Sequence, residues 1–346
     1  MTEESHRALP EQASGSCDTA LTRHATVRVP IICGAMYPCS NPELVAAVSA
    51  AGALGVFQPV SLTYVHGHDF RDGIRLMRRL AAGRPLGMNA LIEASSRAYH
   101  ERMLRWVDGA LEEEVRFFVT SLGNPRWVVD RVRPLGGVVY HDVTERKWAE
   151  KGRDAGVDGL IAVNGRAGGH AGGRSAVALF EEVAPCGLPV VCAGGVGSER
   201  EFVEALEIGY VGVQMGTRFI ASSECTAHPS YKQAIVDADE TDITLTERLT
   251  GVPLSVIRTP YIERMGTRVG PLARWMFRGR RTKRFIRTWY GLRSVAMLKA
   301  SHRRGDAHRD YWQAGRSVAS ITGVEPVADI VRRFELAACG SLPPST

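Results

Sequence analysis

The chain has 346 residues, of which 45% are hydrophobic and 23% charged, with 43 Lys and Arg against 37 Asp and Glu for a formal net charge of +6. This composition excludes wholesale disorder, and the length suits one large α/β barrel with additions. Seven scattered cysteines with no Cys-x-x-Cys pair argue against a secreted disulfide framework and a structural zinc site, and no apolar run reaches the roughly 18 residues of a bilayer span.

Residues 1–25 carry Glu3, Glu4 and Glu11 and no apolar stretch, so they read as a flexible N-terminal tail rather than a signal peptide, and the protein as cytoplasmic. From Pro30 one grammar repeats: a short apolar, β-branched run, a polar or glycine turn, then a helical stretch. The runs are Pro30–Ala35, Ala53–Phe57, Leu86–Leu91, Val115–Ser121, Gly137–His141, Val157–Val163, Leu188–Ala193 and Val211–Met215. Runs this apolar suit parallel strands buried on both faces. Helix starts are marked by Asn41-Pro42, Asn124-Pro125 and a capping box over Ser198–Glu201.

Eight such units over residues 26–240 predict a TIM (β/α)8 barrel. A doubly wound sheet is the alternative, disfavoured because Cys33-Gly34-Ala35-Met36 stands where a Gly-x-Gly-x-x-Gly fingerprint would follow the first strand. Beyond residue 240 the rhythm stops. Residues 241–309 read as an added C-terminal helical cap, and 310–346 as a segment returning to the barrel.

The turns after the last three strands are glycine-rich: Asn164-Gly-Arg-Ala-Gly-Gly-His170, Ala193-Gly194-Gly195-Val-Gly197 and Met215-Gly216-Thr217. The loops after strands seven and eight of a barrel are the usual seat of a phosphate, and glycine lets backbone N–H groups approach it. Gly194, Gly195, Gly216 and Thr217 are therefore the candidate phosphate site of a phosphorylated cofactor, against the plain reading that they make tight turns. His170, among small residues in an open turn at the catalytic face, is the candidate for chemistry, an imidazole able to remove a proton or bind an anion. His228, before Pro229, reads as a helix cap. His66 and His68 have no further ligand at useful spacing, so no metal site is assigned.

These motifs carry a resemblance. Pro30–Met36, Gly87-Met-Asn89, Ala167-Gly-Gly-His170-Ala-Gly, Ala193-Gly-Gly-Val and Gln214-Met-Gly-Thr-Arg-Phe219, leading to His228-Pro-Ser-Tyr-Lys-Gln233, together resemble the nitronate monooxygenase (2-nitropropane dioxygenase) family and the related FMN-dependent enoyl-ACP reductases. The resemblance implies an FMN-binding barrel, its flavin over Gly34, Ala35 and Met36. It implies flavin contacts at Asn89 and His141, backbone contacts beside the ring at Gly168 and Gly169, and a catalytic role for His170. The implied activity is oxidation of alkyl nitronates by oxygen to a carbonyl compound and nitrite. The alternative on the same barrel is an NAD(P)H oxidoreductase acting on enoyl thioesters or quinones. Three positions depart from the family pattern: Arg166 where an acidic residue is common, Tyr37-Pro38-Cys39 after the first strand, and Arg316 in place of Gln near the C-terminus.

The charge is concentrated. Residues 264–305 hold thirteen Lys or Arg and no Asp or Glu, which leaves 30 basic against 37 acidic residues elsewhere. Phe285, Trp289 and Leu292 recur at amphipathic-helix spacing. Such a cap packs on the barrel with solvated charges, receives a phosphate-bearing acyl carrier or carrier protein, or lies on an anionic membrane surface. No nucleic-acid motif accompanies it. Oligomeric state is not legible.

Overall fold

The computed structural model describes residues 17–93, 97–270, 293–294 and 296–338. Eight parallel strands, β1 (Ile31–Cys33), β2 (Leu54–Phe57), β3 (Leu86–Leu91), β4 (Phe117–Ser121), β5 (Val138–Val143), β6 (Gly159–Val163), β7 (Val190–Ala193) and β8 (Val213–Met215), form a closed barrel in sequence order. Each falls on one of the apolar runs. Closure is made by β1 against β8, with Ile32 opposite Gln214.

Outside the barrel lie α2 (Pro42–Ala50), α3 (Phe70–Leu80), α4 (Arg97–Glu112), α5 (Arg126–Val132), α6 (Arg146–Asp154), α7 (Ala176–Val183) and α8 (Glu199–Ile208). The Ser198 capping box forms as read, its hydroxyl accepting from Glu201 N and the Glu201 carboxylate from Ser198 N. Asn124 accepts from Arg126 N at 3.0 Å. Asn41 precedes α2 without capping it through its side chain. Its amide instead ties Glu43, the Glu224 carbonyl and Thr226 N together, pinning the loop after β8 to the first helix.

Alternation along the strands divides the core in two. Ile31, Cys33, Met88, Ala90, Phe118, Val139, Leu160, Ala162, Cys192 and Met215 face the helices. Ile32, Leu54, Val56, Phe117, Val119, Tyr140, Ile161, Val191 and Ala193 fill the interior. Gly159 has no side chain because the Tyr140 ring occupies its place; an added Cβ would lie 2.3 Å from that ring.

The expected N-terminal tail is corrected here. Residues 20–25 form α1 (Ala20–Ala25), capped by Thr19, and its Leu21 and Ala25 join the interior cluster at the bottom of the barrel. His24 meets the Tyr140 hydroxyl at 3.1 Å. A barrel open at that end would leave Ile32 and Tyr140 exposed to water, and a six-residue plug removes that exposure.

The cap expectation is corrected as well. Residues 241–309 include an antiparallel pair, β9 (Ile243–Thr246) and β10 (Leu254–Ile257), besides α11 (Pro260–Met265) and helical residues 296–304. Both strands mix β-branched and apolar residues with Thr or Ser, a pattern for a half-covered pair that the surrounding charge obscured. Leu249, Leu254, Val256, Ile262 and Tyr311 form a separate small core beneath the cap. Seven of the thirteen cations (Arg274, Arg278, Arg280, Arg281, Lys283, Arg284 and Arg287) and the Phe285–Leu292 pattern lie outside the described residues. No helix among the described residues is long and apolar enough to cross a membrane.

The chain then returns. The C-terminal helix Val327–Ala338 packs on α2 and α8, with Phe334 against Phe202, and Arg333 binds Glu199 and Glu325. Arg218, fully buried, bonds to the carbonyls of Ala221 and Gly323 and pairs with Glu325 at 3.2 Å.

Leu21→Ala should lower unfolding free energy by about 2–5 kcal/mol, the usual cost of emptying a buried leucine site. Urea denaturation of the two proteins checks this, and an unchanged midpoint would mean that α1 is no part of the core.

Candidate functional site

In a barrel the βα turns share one face, so the geometry of the site is set by which residues end each strand pointing inward. At β3, Asn89 lies between helix-facing Met88 and Ala90 and pairs in register with interior Val119. It therefore faces the interior, and its Oδ1 is buried with no hydrogen-bond partner among the described residues.

His141 does not reach this face. Its strand neighbour Tyr140 points inward, so His141 points to the helical layer, where its ring stands against Gly152 of α6 and its Nδ1 lies 2.9 Å from Thr120 Oγ1. The expectation of a flavin contact at His141 is corrected for that reason: a one-residue step along a strand changes the face. Burial holds its imidazole down to about 4, opposed in part by Thr120, so the ring is neutral.

The residue that does face inward at the end of β5 is Asp142, opposite interior Ile161. Its Oδ1 is buried without a hydrogen-bond partner among the described residues, and desolvation raises the carboxyl to about 7. Sequence reading ended that run at His141 and so missed it. The one available signal was an acidic residue inside an otherwise apolar strand.

Around the rim the glycines serve packing first. Gly34 lies beside Gln214, where a Cβ would come 3.0 Å from the side chain, and Gly216 faces Met36, where it would come 3.2 Å from the sulfur. The turns after β1 and β8 thus abut, bringing Gly34, Ala35, Met36, Gly216 and Thr217 together. Thr217 opens the short helix α9 (Thr217–Ile220), and its Oγ1 accepts from Gly315 N at 3.0 Å. Gly194 and Gly195 have φ of +113° and +82°; added Cβ atoms would strike Ala167 N at 2.5 Å and the Arg166 side chain at 2.6 Å. Asn164, fully buried, donates to the Gly194 carbonyl at 2.8 Å and accepts from Arg166 N at 2.8 Å, locking the turns after β6 and β7 to each other. Arg166 itself pairs with Glu240 at 2.5 Å.

The turn after β6 is also woven into the cap and the returning chain. Gly169 pairs with Ser255 of β10, whose N–H donates to the Gly169 carbonyl at 2.7 Å. Gly168 faces Ala314 and Gly315, whose backbone a Cβ would meet at about 3.0 Å. Arg316 N donates to the Arg166 carbonyl at 2.9 Å, and its exposed side chain leaves the site. At the end of this braid His170 projects into the open, while protein on its flanks desolvates the ring and lowers its pKa, so it is a neutral base at pH 7.

The other histidines are accounted for. His228 caps α10 (Pro229–Asp237), accepting from Ser230 N. His66 meets the Pro38 carbonyl at 3.1 Å and lies edge-on to His302. Burial holds His302 down to about 4, helped by the charges of its neighbours. Among the described residues no group of three or more His, Cys, Asp or Glu is arranged to hold a metal.

The cap straddles the mouth. Lys299 donates to the Tyr64 carbonyl at 2.6 Å and Arg303 to that of Val65 at 3.3 Å, both in the turn after β2. On the cap, Tyr261, Arg264, Met265, Arg304, His308 and Arg309 line an open hollow of about 430 Å³.

Residues 18–336 match the family described as nitronate monooxygenase. The (3aS,4S,5R,7aS)-5-hydroxy-7a-methyl-1-oxo-octahydro-1H-indene-4-carboxyl-CoA dehydrogenase of Rhodococcus jostii is 29% identical, over 70% of this chain and 67% of its own. A probable nitronate monooxygenase of Staphylococcus saprophyticus is 28% identical, over 71% of this chain and 80% of its own. Among solved structures, FabK from Thermotoga maritima superposes with a TM-score of 0.76 at 27% identity, covering 94% of this chain and 97% of its own. Nitroalkane oxidase from Streptomyces ansochromogenes, at 22% identity and a TM-score of 0.74 over 93% and 99% of the two chains, shares the fold.

Two buried neutral imidazoles have a consequence for acid stability. With folded values about 4 against about 6.5 unfolded, His141 and His302 take up protons more readily in the unfolded chain, so stability is full above pH 6.5 and falls as pH drops towards 4. The His141 contribution should be on the order of 3 kcal/mol by pH 4. Urea midpoints at pH 7.5, 5.5 and 4.5 should converge in His141→Gln relative to the parent, whereas an equal fall in both would mean that His141 is hydrated.

Proposed function

Because the chain belongs to the nitronate monooxygenase family, we propose that this oxidoreductase is FMN-dependent, that it acts on a carbon acid, and that the carbon acid is a coenzyme A thioester. The observation that carries the reading is the conjunction of an open, neutral His170 on the rim with two buried acceptor oxygens, Asn89 Oδ1 and Asp142 Oδ1, that no donor among the described residues answers. Orphaned acceptors facing the barrel interior call for a ligand with polar edges, and the residues fit a flavin ring over Gly34, Ala35 and Met36 with its phosphate towards Gly194, Gly195, Gly216 and Thr217. Gly168 and Gly169 would give the ring a backbone wall. Bound flavin supplies the redox chemistry. The protein's share is to hold the substrate's acidic carbon beside His170, which takes its proton, and to keep water from the mouth with the cap.

The thioester is favoured over a small nitronate by the cap. The hollow at Arg264, Arg304, His308 and Arg309, where Arg304 also holds Asp310 and Arg309 also faces Asp306, offers guanidinium edges and the Tyr261 ring to the phosphates and adenine of a coenzyme A tail, and the Rhodococcus relative is named for a carboxyl-CoA substrate. An alkyl nitronate, oxidised by oxygen to a carbonyl compound and nitrite, is the second reading, favoured by the family match. Reduction by NAD(P)H is distinguished from both by anaerobic bleaching on adding NADH or NADPH. On this reading the basic cap 264–305 serves the substrate, with carrier protein or anionic lipid as its competing partners, and the enzyme works in the cytoplasm.

Cyclohexanecarbonyl-CoA added anaerobically to the flavin-loaded protein should bleach the flavin. No bleaching, with nitrite release from propyl-2-nitronate in air, would establish the second reading instead. His170→Asn should retain flavin and lose about 10²–10⁴ of turnover with the competent substrate, the range for losing a general base. Full activity in that variant would make the imidazole structural.

A further inference from the structure

Carboxylates buried in this protein are answered by cations. Glu113 receives the Arg75 guanidinium at 2.6 Å, and Asp310, with no exposed surface, receives Arg304 at 2.7 Å and Asp306 N at 2.9 Å. Asp142, half-buried as a residue, differs in one oxygen. Its Oδ1 is covered, faces the barrel interior and finds no donor among the described residues.

We propose that the Asp142 carboxyl is the seat of an imide edge, the N–H beside C=O of the pyrimidine end of a flavin ring, with Asn89 as its companion on the far side of β4. This assignment rests on the flavin reading above and adds to it a residue and an orientation.

The chemistry follows from what faces the group. On the flanking strands the interior residues nearest it are Ile161 on β6, apolar, and on β4 Ser121, one step beyond the Thr120–His141 pair, with apolar Val119 below; no charged group stands among them. His141, next in the chain, points into the helical layer and is neutral. Glu145 and Lys147, at the start of α6, pair with each other at 2.7 Å. In the turn after β6, Arg166 is held by Glu240 and Glu201, and His170 is uncharged at pH 7. With desolvation as the only cause acting on it, the carboxyl is raised to about 7 and is substantially protonated at neutral pH.

A protonated carboxyl presents one O–H donor and one C=O acceptor side by side. An imide edge presents the complement, an acceptor C=O beside a donor N–H, so the two form a pair of parallel hydrogen bonds. An ionised carboxylate keeps only the acceptor half. The Asn89 oxygen, also without a donor, faces the same interior from β3, and a flat ring lying between β3 and β5 reaches both. Neither group has this environment for the sake of the fold, because a buried polar atom without a partner lowers stability.

The experiment uses the full chain as wild type, Asp142→Asn and Asp142→Ala, titrated with FMN and with N3-methyl-FMN by flavin fluorescence, beside thermal unfolding without flavin. Asn has the donor and acceptor of a neutral carboxyl and should bind FMN within about threefold of wild type, while Ala should bind it about tenfold or more weakly. Wild-type affinity should fall as pH rises above about 7 and the O–H is lost, and that of Asp142→Asn should stay flat. N3-methyl-FMN, lacking the N–H, should bind wild type and Asp142→Ala alike. Flavin-free Asp142→Ala should melt no lower than wild type. Equal FMN affinity in wild type and Asp142→Ala would overturn the assignment and leave the flavin reading standing. A flavin-free Asp142→Ala that melts well below wild type would make the carboxyl structural and overturn it too. Failure of wild type to bind FMN at all would remove the flavin reading and this assignment with it.

Discussion

Everything at the mouth depends on the closure of β1 against β8. Once Ile32 stands opposite Gln214 the sheet has no edges, and each strand residue must point either to the interior or to the helices. Below the mouth the interior is apolar and plugged by Leu21, so water has no part there. A polar side chain facing inward near the C-terminal end must find its partner in the protein or in what the mouth holds. Thr120 and His141, facing outward, satisfy each other. Asn89 and Asp142, facing inward, do not. The same alternation that builds the core thus sorts the polar residues of adjacent strands into structural and ligand-seeking sets.

The rim is rigid for a different reason. Three turns and two distant segments cross within hydrogen-bond distance: Asn164 joins the turns after β6 and β7, Gly315 joins that after β8 to the returning chain, and Ser255 joins β10 to Gly169. Backbones this close leave no volume for Cβ atoms at Gly168, Gly194 or Gly315. Glycine at these positions is explained by packing before any anion is invoked. What the packing achieves is to hold His170 at the end of a turn tied on both sides, so that its imidazole is exposed yet fixed in origin.

The barrel was legible because parallel strands buried on both faces read as unbroken apolar runs, and all eight fell where those runs lie. The same property hid the phase. In Val138-Val-Tyr-His-Asp-Val143 nothing in the sequence says which residues face inward, so His141 was chosen over Asp142 and only the register with Val119 and Ile161 decides. The plug was missed because six residues, Ala-Leu-Thr-Arg-His-Ala, bury little more than one leucine and one alanine, too short a signal to separate from a polar tail. The hairpin of β9 and β10 was missed because the charge that follows it dominated the reading of the whole segment. Candidate site residues fared by kind: glycines and His170 are marked by local composition, whereas the value of Asn164 and Asp142 lies in what other strands bring beside them.

Charge gives the last constraint. Outside residues 264–305 the protein carries 30 basic and 37 acidic residues, and two groups at the mouth are uncharged near neutrality: the exposed His170, whose ring neighbouring protein desolvates, and Asp142, raised by burial. Cations ring it but are engaged: Arg166 pairs with Glu240 in the turn after β6, and Lys299 and Arg303 bond to carbonyls in the turn after β2, while Arg304 and Arg309 flank an open hollow on the cap. Desolvated walls disfavour a ligand whose charge sits at the reacting carbon, and a cationic outer surface favours one whose charge sits far from it. A coenzyme A thioester has that distribution, neutral at the carbon acid and anionic at the phosphates. A nitronate has the reverse, its charge on the reacting group itself, and would have to be met by a cation drawn from an existing contact, such as Arg166 from Glu240. The basic hollow on the cap, set apart from the reacting carbon beside His170, therefore supports the thioester within the proposed function.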